Sequence, residues 1–285
     1  MNIEDFTDII YEKEENGICT ITINRPERRN ALTHVTFLEI QTVLADMEAD
    51  KNARVLIITG SEEGKAFSSG GYFNMKFVTS IPEEIKKELD LADIAQKRLC
   101  MKFWDFSKPV IAAINGLAIG AGITMPLSCA DLIYMSEDAW FGMYFIKRGI
   151  VPEYAMSFVL PFFLGFQRAK EILYFGENIS AQEAFNLGLI NKVLPPDELM
   201  PYAREIALKL IPPKAPSIAI SLMKKMLHKY FKNIIADTLD LENEGNHIAF
   251  KTHDFRESTK SLQQKRDPIF TGKTNKTIKD FLNKF

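Results

Sequence analysis

The residues best suited to chemistry lie in two glycine-rich stretches. The first, GKAFSSGGYFNMK, covers residues 64–76, and the second, PVIAAINGLAIGAGITM, covers residues 109–125. Glycine has no Cβ, so it lets the backbone approach a ligand closely. The second stretch predicts a buried strand and then a helix opening near Gly120, whose free N–H groups would stabilise negative charge on a carbonyl oxygen. An ordinary tight turn and close helix packing are the alternatives for the two stretches.

A candidate acid follows these turns along the chain. Glu153 lies in RGIVPEYAMS, with Val151, Pro152, Tyr154 and Met156 around it. Poor solvation raises the pKa of a carboxyl group and suits it to carry a proton near neutral pH. A carboxylate at the positive end of a helix is the other interpretation of Glu153, and the two are compatible.

The elements that must position these residues alternate in type. Residues 9–26, IIYEKEENGICTITINRP, predict a hairpin because two apolar runs flank a Glu-Asn-Gly turn. Residues 33–50 show apolar residues at helical spacing, with Thr33 or Thr36 as the N-cap, and ARVLIITG at 53–60 predicts the next strand. This order forms a βαβ unit.

The alternation continues less regularly. The sequence predicts a polar helix over 82–102, a strand over 109–115, a helix opening in GLAIGAGITMPLSC at 116–129 and a strand at 131–137. From about residue 166 onward, helical segments dominate. We therefore expect an α/β fold, with a catalytic core at 1–200 and a helical region at 201–285 packed as part of the same unit.

Composition limits the possible partners. The chain has 285 residues and a formal net charge of −2, from 35 Lys and Arg against 37 Asp and Glu, so it offers no general attraction to nucleic acid or to an anionic membrane. The acidic N-terminus is not a signal peptide, and no apolar run is long enough to span a bilayer. Three separated cysteines indicate neither a zinc site nor a disulfide framework. A reducing cytoplasm is the expected location.

Five segments of the chain carry a family resemblance. They are NRPERRNAL at 24–32, GKAFSSGG at 64–71, KPVIAAINGLAIGAG at 108–122, FGENISAQEAFNLGLINKVLP at 175–195 and QKRDPIFTGK at 264–273. In this order they resemble the crotonase superfamily, that is, the enoyl-CoA hydratase and isomerase family. The resemblance implies a spiral core of stacked ββα turns. It also implies a helical C-terminal region that joins subunits into a homotrimer or a dimer of trimers.

The resemblance also implies an acyl-CoA substrate and the residues that hold it. Two backbone N–H groups of the family polarise the thioester carbonyl, and the matching residues here are Gly71 and Ala121. Coenzyme A enters as part of the substrate, and neither a separate cofactor nor a metal is required. The matching substrate-binding positions, including the cations for the CoA phosphates, are Arg28, Arg29, Ala31, Ser69 and Lys265.

The catalytic acids depart from the hydratase pattern. Hydratases of this family use two glutamates to position water, and the matching residues here are Thr124 and Phe145, neither of which is an acid. Glu153 instead matches the single acid of relatives that isomerise 3-enoyl-CoA to 2-enoyl-CoA. Isomerisation is therefore the preferred function. Hydration with different water positioning, thioester hydrolysis, halide displacement and a non-catalytic acyl-CoA-binding assembly partner are the alternatives.

Aromatic residues near the first turn predict an apolar acyl pocket. Tyr72 stands where many relatives have aspartate. Its expected companions in the pocket, which would accept a bulky or cyclic acyl group, are Phe73, Met75, Trp140, Met143, Tyr144 and Phe145. A plain core role is the alternative, particularly for Trp140 and Phe145.

Overall fold

The strands form two sheets, one of six strands and one of four. The computed structural model of the chain describes residues 1–72, 78–79 and 81–273. The strands are β1 (Ile9–Lys13), β2 (Ile18–Ile23), β3 (Val55–Gly60), β4 (Ala66–Ser68), β5 (Val110–Ile114), β6 (Leu117–Ile119), β7 (Leu132–Ser136), β8 (Trp140–Gly142), β9 (Asn178–Ser180) and β10 (Lys192–Leu194). One sheet has the order β1-β2-β3-β5-β7-β10 and the other β4-β6-β8-β9.

Consecutive strands alternate between these sheets. The strands β3, β5 and β7 lie in the larger sheet, and the strand that follows each of them, β4, β6 or β8, lies in the smaller one. Pairing within both sheets is parallel except for β1 with β2 and β8 with β9. Every residue of β3 and β5 is buried, as expected for parallel strands covered on both faces. The expected α/β fold with stacked ββα turns is confirmed.

Helices cover the sheets and make up the last third of the described chain. They are α1 (His34–Ala49), α2 (Glu83–Lys86), α3 (Lys97–Asp105), α4 (Ala121–Cys129), α5 (Met156–Leu164), α6 (Phe166–Phe175), α7 (Ala181–Asn186), α8 (Pro196–Lys209), α9 (Ser217–Lys229), α10 (Lys232–Ala249) and α11 (His253–Gln263). None of the described helices is both long and apolar enough to cross a membrane.

The hairpin and the first helix are confirmed. The strands β1 and β2 pair antiparallel, with Ile9 opposite Ile23. Both threonines proposed as caps of α1 take part: the Thr33 hydroxyl accepts the N–H of Thr36, and the Thr36 hydroxyl accepts the N–H of Thr33. This reciprocal cap fixes where the helix begins.

One predicted helix is wrong in extent, and one strand was not predicted. The single helix expected over 82–102 is instead the short α2 followed by α3, because the Asp93 carboxylate accepts the N–H groups of Lys97 and Arg98 and starts a new helix there. The helix expected to open near Gly120 begins at Ala121, as predicted, but a strand that was not predicted lies before it. Residues 117–119 form β6 because they pair with β4 on one side and β8 on the other.

The hydrophobic core has two parts on opposite sides of the larger sheet. The larger part lies between the two sheets and under α1, α3 and α4. The smaller part lies where Leu199, Ala203 and Ala207 of α8 pack on the sheet's outer face. Helix α10 packs against α3 and α5, so a C-terminal helix contacts the segment that carries Glu153.

Candidate active site

The two glycine-rich turns meet at the carboxyl ends of β4 and β6. Because these strands are parallel neighbours, the residues that follow them leave the sheet at the same edge. Gly70 has φ +92, and a Cβ there would lie 2.5 Å from the Ile119 carbonyl oxygen and 3.9 Å from the Ala121 nitrogen. A Cβ on Gly122 would lie 2.5 Å from the Ser68 carbonyl oxygen. Only glycine allows this contact between the turns.

Two backbone N–H groups at this contact have no backbone carbonyl as acceptor among the described residues. Leu32 forms a parallel bridge with Gly71, in which the Leu32 N–H donates to the Gly70 oxygen and the Tyr72 N–H donates to the Leu32 oxygen. This pattern leaves the N–H of Gly71 itself unused. Ala121 is the first residue of α4, where helical N–H groups have no intrahelical acceptor. Within the described chain, neither N–H donates to a backbone carbonyl.

A tight turn at residues 24–32 lies against the first of these glycine turns. Arg29 and Asn30 are both left-handed, with φ of 50 and 56. Asn30 is fully buried, and its side chain accepts the Arg25 N–H at 3.1 Å and donates to the Ala66 oxygen at 2.8 Å. One amide side chain therefore holds the arginine-bearing turn beside β4.

Four predicted substrate-binding residues come together here. The Ser69 N–H donates to the Arg29 oxygen at 2.9 Å, and the Ser69 hydroxyl donates to the Arg28 oxygen at 2.9 Å. Ala31 accepts a hydrogen bond at its carbonyl from the Arg25 guanidinium at 2.8 Å. The fork of an arginine suits phosphate, so this turn offers cations where an anionic nucleotide could lie.

Arg25 is a supporting residue that sequence reasoning missed. It is almost fully buried, and its Nε lies 3.2 Å from the Asp8 carboxylate. The same carboxylate accepts the hydroxyls of Thr33 and Thr36 at 2.5 Å each. Arg25 lies in the same NRPERR segment as Arg28 and Arg29. Its position as a basic residue just after an apolar strand could have identified it. It links β1, the cap of α1 and the arginine-bearing turn.

Tyr72 packs its ring against the arginines of this turn. Its ring centroid is 5.4 Å from the Arg25 guanidinium and 5.6 Å from that of Arg28. Such cation–π contacts fix the ring over the arginines. Phe73 and Met75, its expected companions, lie outside the described residues.

Thr124 and Phe145 form the apolar side of the second turn. Thr124 is fully buried, and its hydroxyl donates to the Gly120 carbonyl at 3.2 Å. Phe145 is 5% exposed, and its Cε1 lies 3.9 Å from where a Cβ of Gly120 would be. Tyr144 turns away, since its hydroxyl donates to the Asn178 side chain. Neither position that matches a hydratase glutamate therefore carries an acid.

Glu153 is the acid beside the second turn. It is 6% exposed, and its Oε1 lies 3.9 Å from the position of a Gly120 Cβ. Burial, followed by the charge of Glu242, raises the pKa of Glu153 to about 8, although the Ala121 N–H acts in the opposite direction. A carboxyl with this pKa can both accept and donate a proton near neutral pH. The described residues contain no group of three or more His, Cys, Asp or Glu arranged to hold a metal ion.

The backbone after Glu153 is strained. Tyr154 and Ala155 are both left-handed, with φ of 56 and 57, which costs roughly 1 kcal/mol or more for each non-glycine residue. The Tyr154 N–H donates to the Ala95 oxygen at 3.2 Å, and the Ser128 hydroxyl donates to the Tyr154 oxygen. These bonds hold a turn that directs the Glu153 side chain towards Gly120.

The acid that caps the start of α5 is Glu242 rather than Glu153. Helix α5 begins at Met156, and the Glu242 carboxylate accepts the N–H groups of Ala155 at 2.7 Å and Ser157 at 2.8 Å. Burial raises the pKa of Glu242 to about 7. Glu153 therefore does not cap α5, because α10 supplies that acid from 87 residues beyond Ala155. The helix start that acts on Glu153 is that of α4, through the N–H of Ala121.

A second side chain of α10 holds the residues before Glu153. Asn246 is 1% exposed; it accepts the Val151 N–H at 3.3 Å and donates to the Pro152 oxygen at 3.1 Å. Glu242 and Asn246 are four residues apart and therefore share one helix face. Sequence reasoning missed both, although a Glu and an Asn on the apolar face of LENEGNHIAF were a signal.

Lys265 lies apart from the arginine-bearing turn in this chain. It is exposed, just beyond α11, and no described hydrogen bond, ion pair or ring contact joins it to Arg28 or Arg29. The segment after it folds back along α11, where Asp254 accepts the N–H groups of Thr271 and Gly272. The structure therefore brings together the other predicted residues that it describes, in two adjoining groups, and leaves Lys265 outside them.

Comparisons with known proteins agree with this geometry. A family model described as Enoyl-CoA hydratase/isomerase matches residues 13–273. The short-chain-enoyl-CoA hydratase of Clostridium acetobutylicum is 33% identical over 262 residues, covering 92% of this chain and 97% of the relative. The 1,2-epoxyphenylacetyl-CoA isomerase of Escherichia coli is 31% identical, covering 93% and 99%. An enoyl-CoA hydratase/isomerase crystal structure from Pseudoalteromonas atlantica has a TM-score of 0.80 at 26% identity, covering 93% of this chain and 100% of that one.

Proposed function

Because the chain belongs to the enoyl-CoA hydratase/isomerase family, we propose that it converts a 3-enoyl-CoA to the 2-enoyl-CoA. The observation that carries this proposal is a single buried carboxyl, Glu153, beside the N–H of Ala121. A double-bond shift needs one group that takes a proton from one carbon and returns it to another. A single acid with a pKa of about 8 suits that task.

The proposed reaction proceeds through an enolate. The N–H groups of Gly71 and Ala121 hold the thioester oxygen, where negative charge develops. Ionised Glu153 removes a proton from C2, and the electron pair spreads over the dienolate. The acid formed on Glu153 then delivers the same proton to C4, so the double bond moves from C3–C4 to C2–C3 with no atom gained or lost.

The CoA portion is proposed to bind at the arginine-bearing turn. Arg28 and Arg29 supply cations, and Ser69 links their carbonyls to the first glycine turn. This arrangement would place phosphates next to the turn that carries the Gly71 N–H. The proposal requires no metal or redox cofactor for the proton shift.

Hydration is the second candidate, favoured by the names of relatives. Proteins about one-third identical to this chain are named hydratases, including the one from Clostridium acetobutylicum. Thr124 and Phe145 cannot act as acids, so hydration here would need Glu153 to activate the water. The two candidates therefore share Glu153 and differ in the mass of the product.

A homotrimer or a dimer of trimers is the proposed assembly. The supporting observation is a set of large apolar side chains exposed on α5, α6, α9 and the residues beside them: Phe162, Phe166, Phe175, Ile218, Leu227 and Tyr230. Exposed apolar surface on this scale is typical of an interface between chains. Light scattering of the purified protein tests the assembly.

The decisive experiment incubates 3-hexenoyl-CoA with the protein in heavy water and follows the products by chromatography and mass spectrometry. Isomerisation predicts the 2-enoyl isomer, with deuterium incorporated wherever the proton on Glu153 exchanges with solvent. The variant Glu153→Gln should lose about 10²–10⁴-fold in rate, whereas Glu171→Gln, which changes an exposed carboxylate, should match the parent. A product heavier by one water would replace isomerisation with hydration.

A further inference from the structure

The carboxylate of Glu242 lies where the chain turns after Glu153. It accepts N–H groups from Ala155 and Ser157, which lie on either side of the first residue of α5. Ala155 is the second of two left-handed residues, and its own side chain cannot cap the helix. The hydrogen bonds from Glu242 thus hold the strained turn and the helix start together.

We propose that Glu242 is a positioning residue, which readies Glu153 for proton transfer by closing the turn after it and by placing a second carboxylate beside it. The proposal rests on the proposed function of Glu153 and names the group that controls it. Glu242 does this without touching the substrate, because both of its oxygens are used by backbone N–H groups.

The groups that face Glu153 leave Glu242 as its main charged neighbour. Helix α4 offers the Ala121 N–H, and α10 offers Glu242; among the residues that the structure describes, no basic side chain acts on the Glu153 carboxyl. Tyr154 follows it in the chain and is fully buried and neutral at working pH. The titratable groups that act on Tyr154 from other elements are Cys129, Cys100 and Asp93.

Burial and hydrogen bonding act in opposite directions on Glu242. Burial raises its pKa to about 7, and the N–H groups of Ser157 and Ala155 oppose that rise. Once Glu242 is charged, it opposes the ionisation of Glu153, whose pKa is about 8. Near pH 8, therefore, both forms of Glu153 are populated: the ionised form, which can take a proton, and the acid form, which can return one.

The test separates the two effects of Glu242 with one variant, one rescue and one control. Glu242→Gln removes the charge and offers an N–H donor where an acceptor is needed. Adding Ala155→Gly relieves the left-handed strain without restoring the charge. Asp240→Asn is the control, because this exposed carboxylate of α10 pairs with Lys97 and does not reach the turn.

The first readout does not depend on turnover. Infrared titration of the free protein follows the protonated carboxyl band that Glu153→Gln abolishes, with an expected midpoint near pH 8 in the parent. The midpoint should move to lower pH in Glu242→Gln and in the double variant, and stay in place in Asp240→Asn. Glu242→Gln should also lower the melting temperature, and Ala155→Gly should raise it again. An unmoved midpoint, or no thermal rescue by glycine, would overturn the proposal.

The second readout uses the reaction. With 3-hexenoyl-CoA, Glu242→Gln should reduce kcat by about 10- to 100-fold and leave KM within about threefold. The reason is that only the orientation of the Glu153 side chain changes. Ala155→Gly should recover most of kcat. A rise in KM with kcat intact would count against a positioning role. If the parent does not isomerise the substrate, the proposed function fails, and the infrared and thermal results still decide the role of Glu242. Should Glu242→Gln not fold, the double variant carries the comparison.

Discussion

The two halves of the site are built in different ways. The proposed oxyanion half uses backbone N–H groups of Gly71 and Ala121, held by strand pairing and by glycines that lie within a few residues of them. The acid half uses the side chain of Glu153, held by Glu242 and Asn246 from a helix almost ninety residues away. The first half is therefore local in sequence, and the second depends on tertiary packing.

The two halves are therefore sensitive to different kinds of substitution. A backbone donor tolerates side-chain changes but fails when its N–H is removed or the chain shifts. A buried acid depends on the charges and hydrogen bonds around it, so distant substitutions can change its chemistry. Variants that act on one half only test whether the two halves depend on different interactions.

The largest effect is expected from removing one backbone donor. Ala121→Pro deletes the N–H at the first position of α4, where proline is tolerated in a helix. We expect kcat to fall by about 10²–10³-fold, the usual loss for one oxyanion donor. Ala121→Ser keeps the N–H and should stay within about tenfold of the parent. Steady-state kinetics with 3-hexenoyl-CoA measures both, and equal losses in the two variants would contradict a backbone role.

The next effect concerns the contact between the turns. Gly70→Ala places a Cβ 2.5 Å from the Ile119 carbonyl oxygen and strains a φ of +92, so we expect about 2–4 kcal/mol of lost stability. Gly188→Ala is the matched control: its φ is +74, with no atom within 4 Å of the new Cβ, and it should lose about 1 kcal/mol. Urea unfolding measures both. Similar values would mean that conformation alone, and not the contact, makes glycine necessary.

A pH-dependent effect tests the acid half. The pKa of Glu153 is raised from 4.5 to about 8 on folding, so the folded protein holds more protons than the unfolded chain between these values and loses stability as pH rises through them. Glu153→Gln removes this loss. We expect it to be more stable than the parent at pH 8.5, by an amount that shrinks as pH falls and is absent near pH 4.5. Denaturant melts at the two pH values measure it, and a difference independent of pH would refute the burial argument.

The smallest effect separates the arginine-bearing turn from the acyl site. Tyr72→Leu removes the ring between Arg25 and Arg28, whose contacts are worth about 0.5–1 kcal/mol each. KM should rise a few-fold for every acyl-CoA tested, with no change in the preferred acyl length. A changed acyl preference at constant KM would instead indicate that Tyr72 lines the acyl pocket.

Much of the fold and the oxyanion half could be predicted from the sequence, because their signals are local. The β-branched runs of β3 and β5 and the cap of α1 lie within single elements. The glycines of the two turns likewise mark positions that no other residue can occupy. The sequence did not predict features that depend on competing local interactions or on partners far away in the chain. Asp93 ended one helix pattern and started α3, and β6 became a strand through its partners β4 and β8.

The acid half could be predicted only in part. Glu153 was recognisable from its apolar flanks and its place in the chain. The residues that hold Glu153 in place were not recognisable, because the sequence LENEGNHIAF does not indicate which loop α10 packs against. Arg25 was missed for a related reason: its partner Asp8 lies before the first strand, and only the folded hairpin brings the two together.

The bridge between Leu32 and Gly71 joins the proposed sites for the two ends of a long ligand. The same short run of backbone is bonded to the arginine-bearing turn at one end and carries the proposed donor, the Gly71 N–H, at the other. Attraction between the enzyme and a distant, unreactive part of the ligand can then be used to hold the donor still during the reaction. An acyl thioester shortened to pantetheine should accordingly turn over more slowly even at saturation, as well as bind less well.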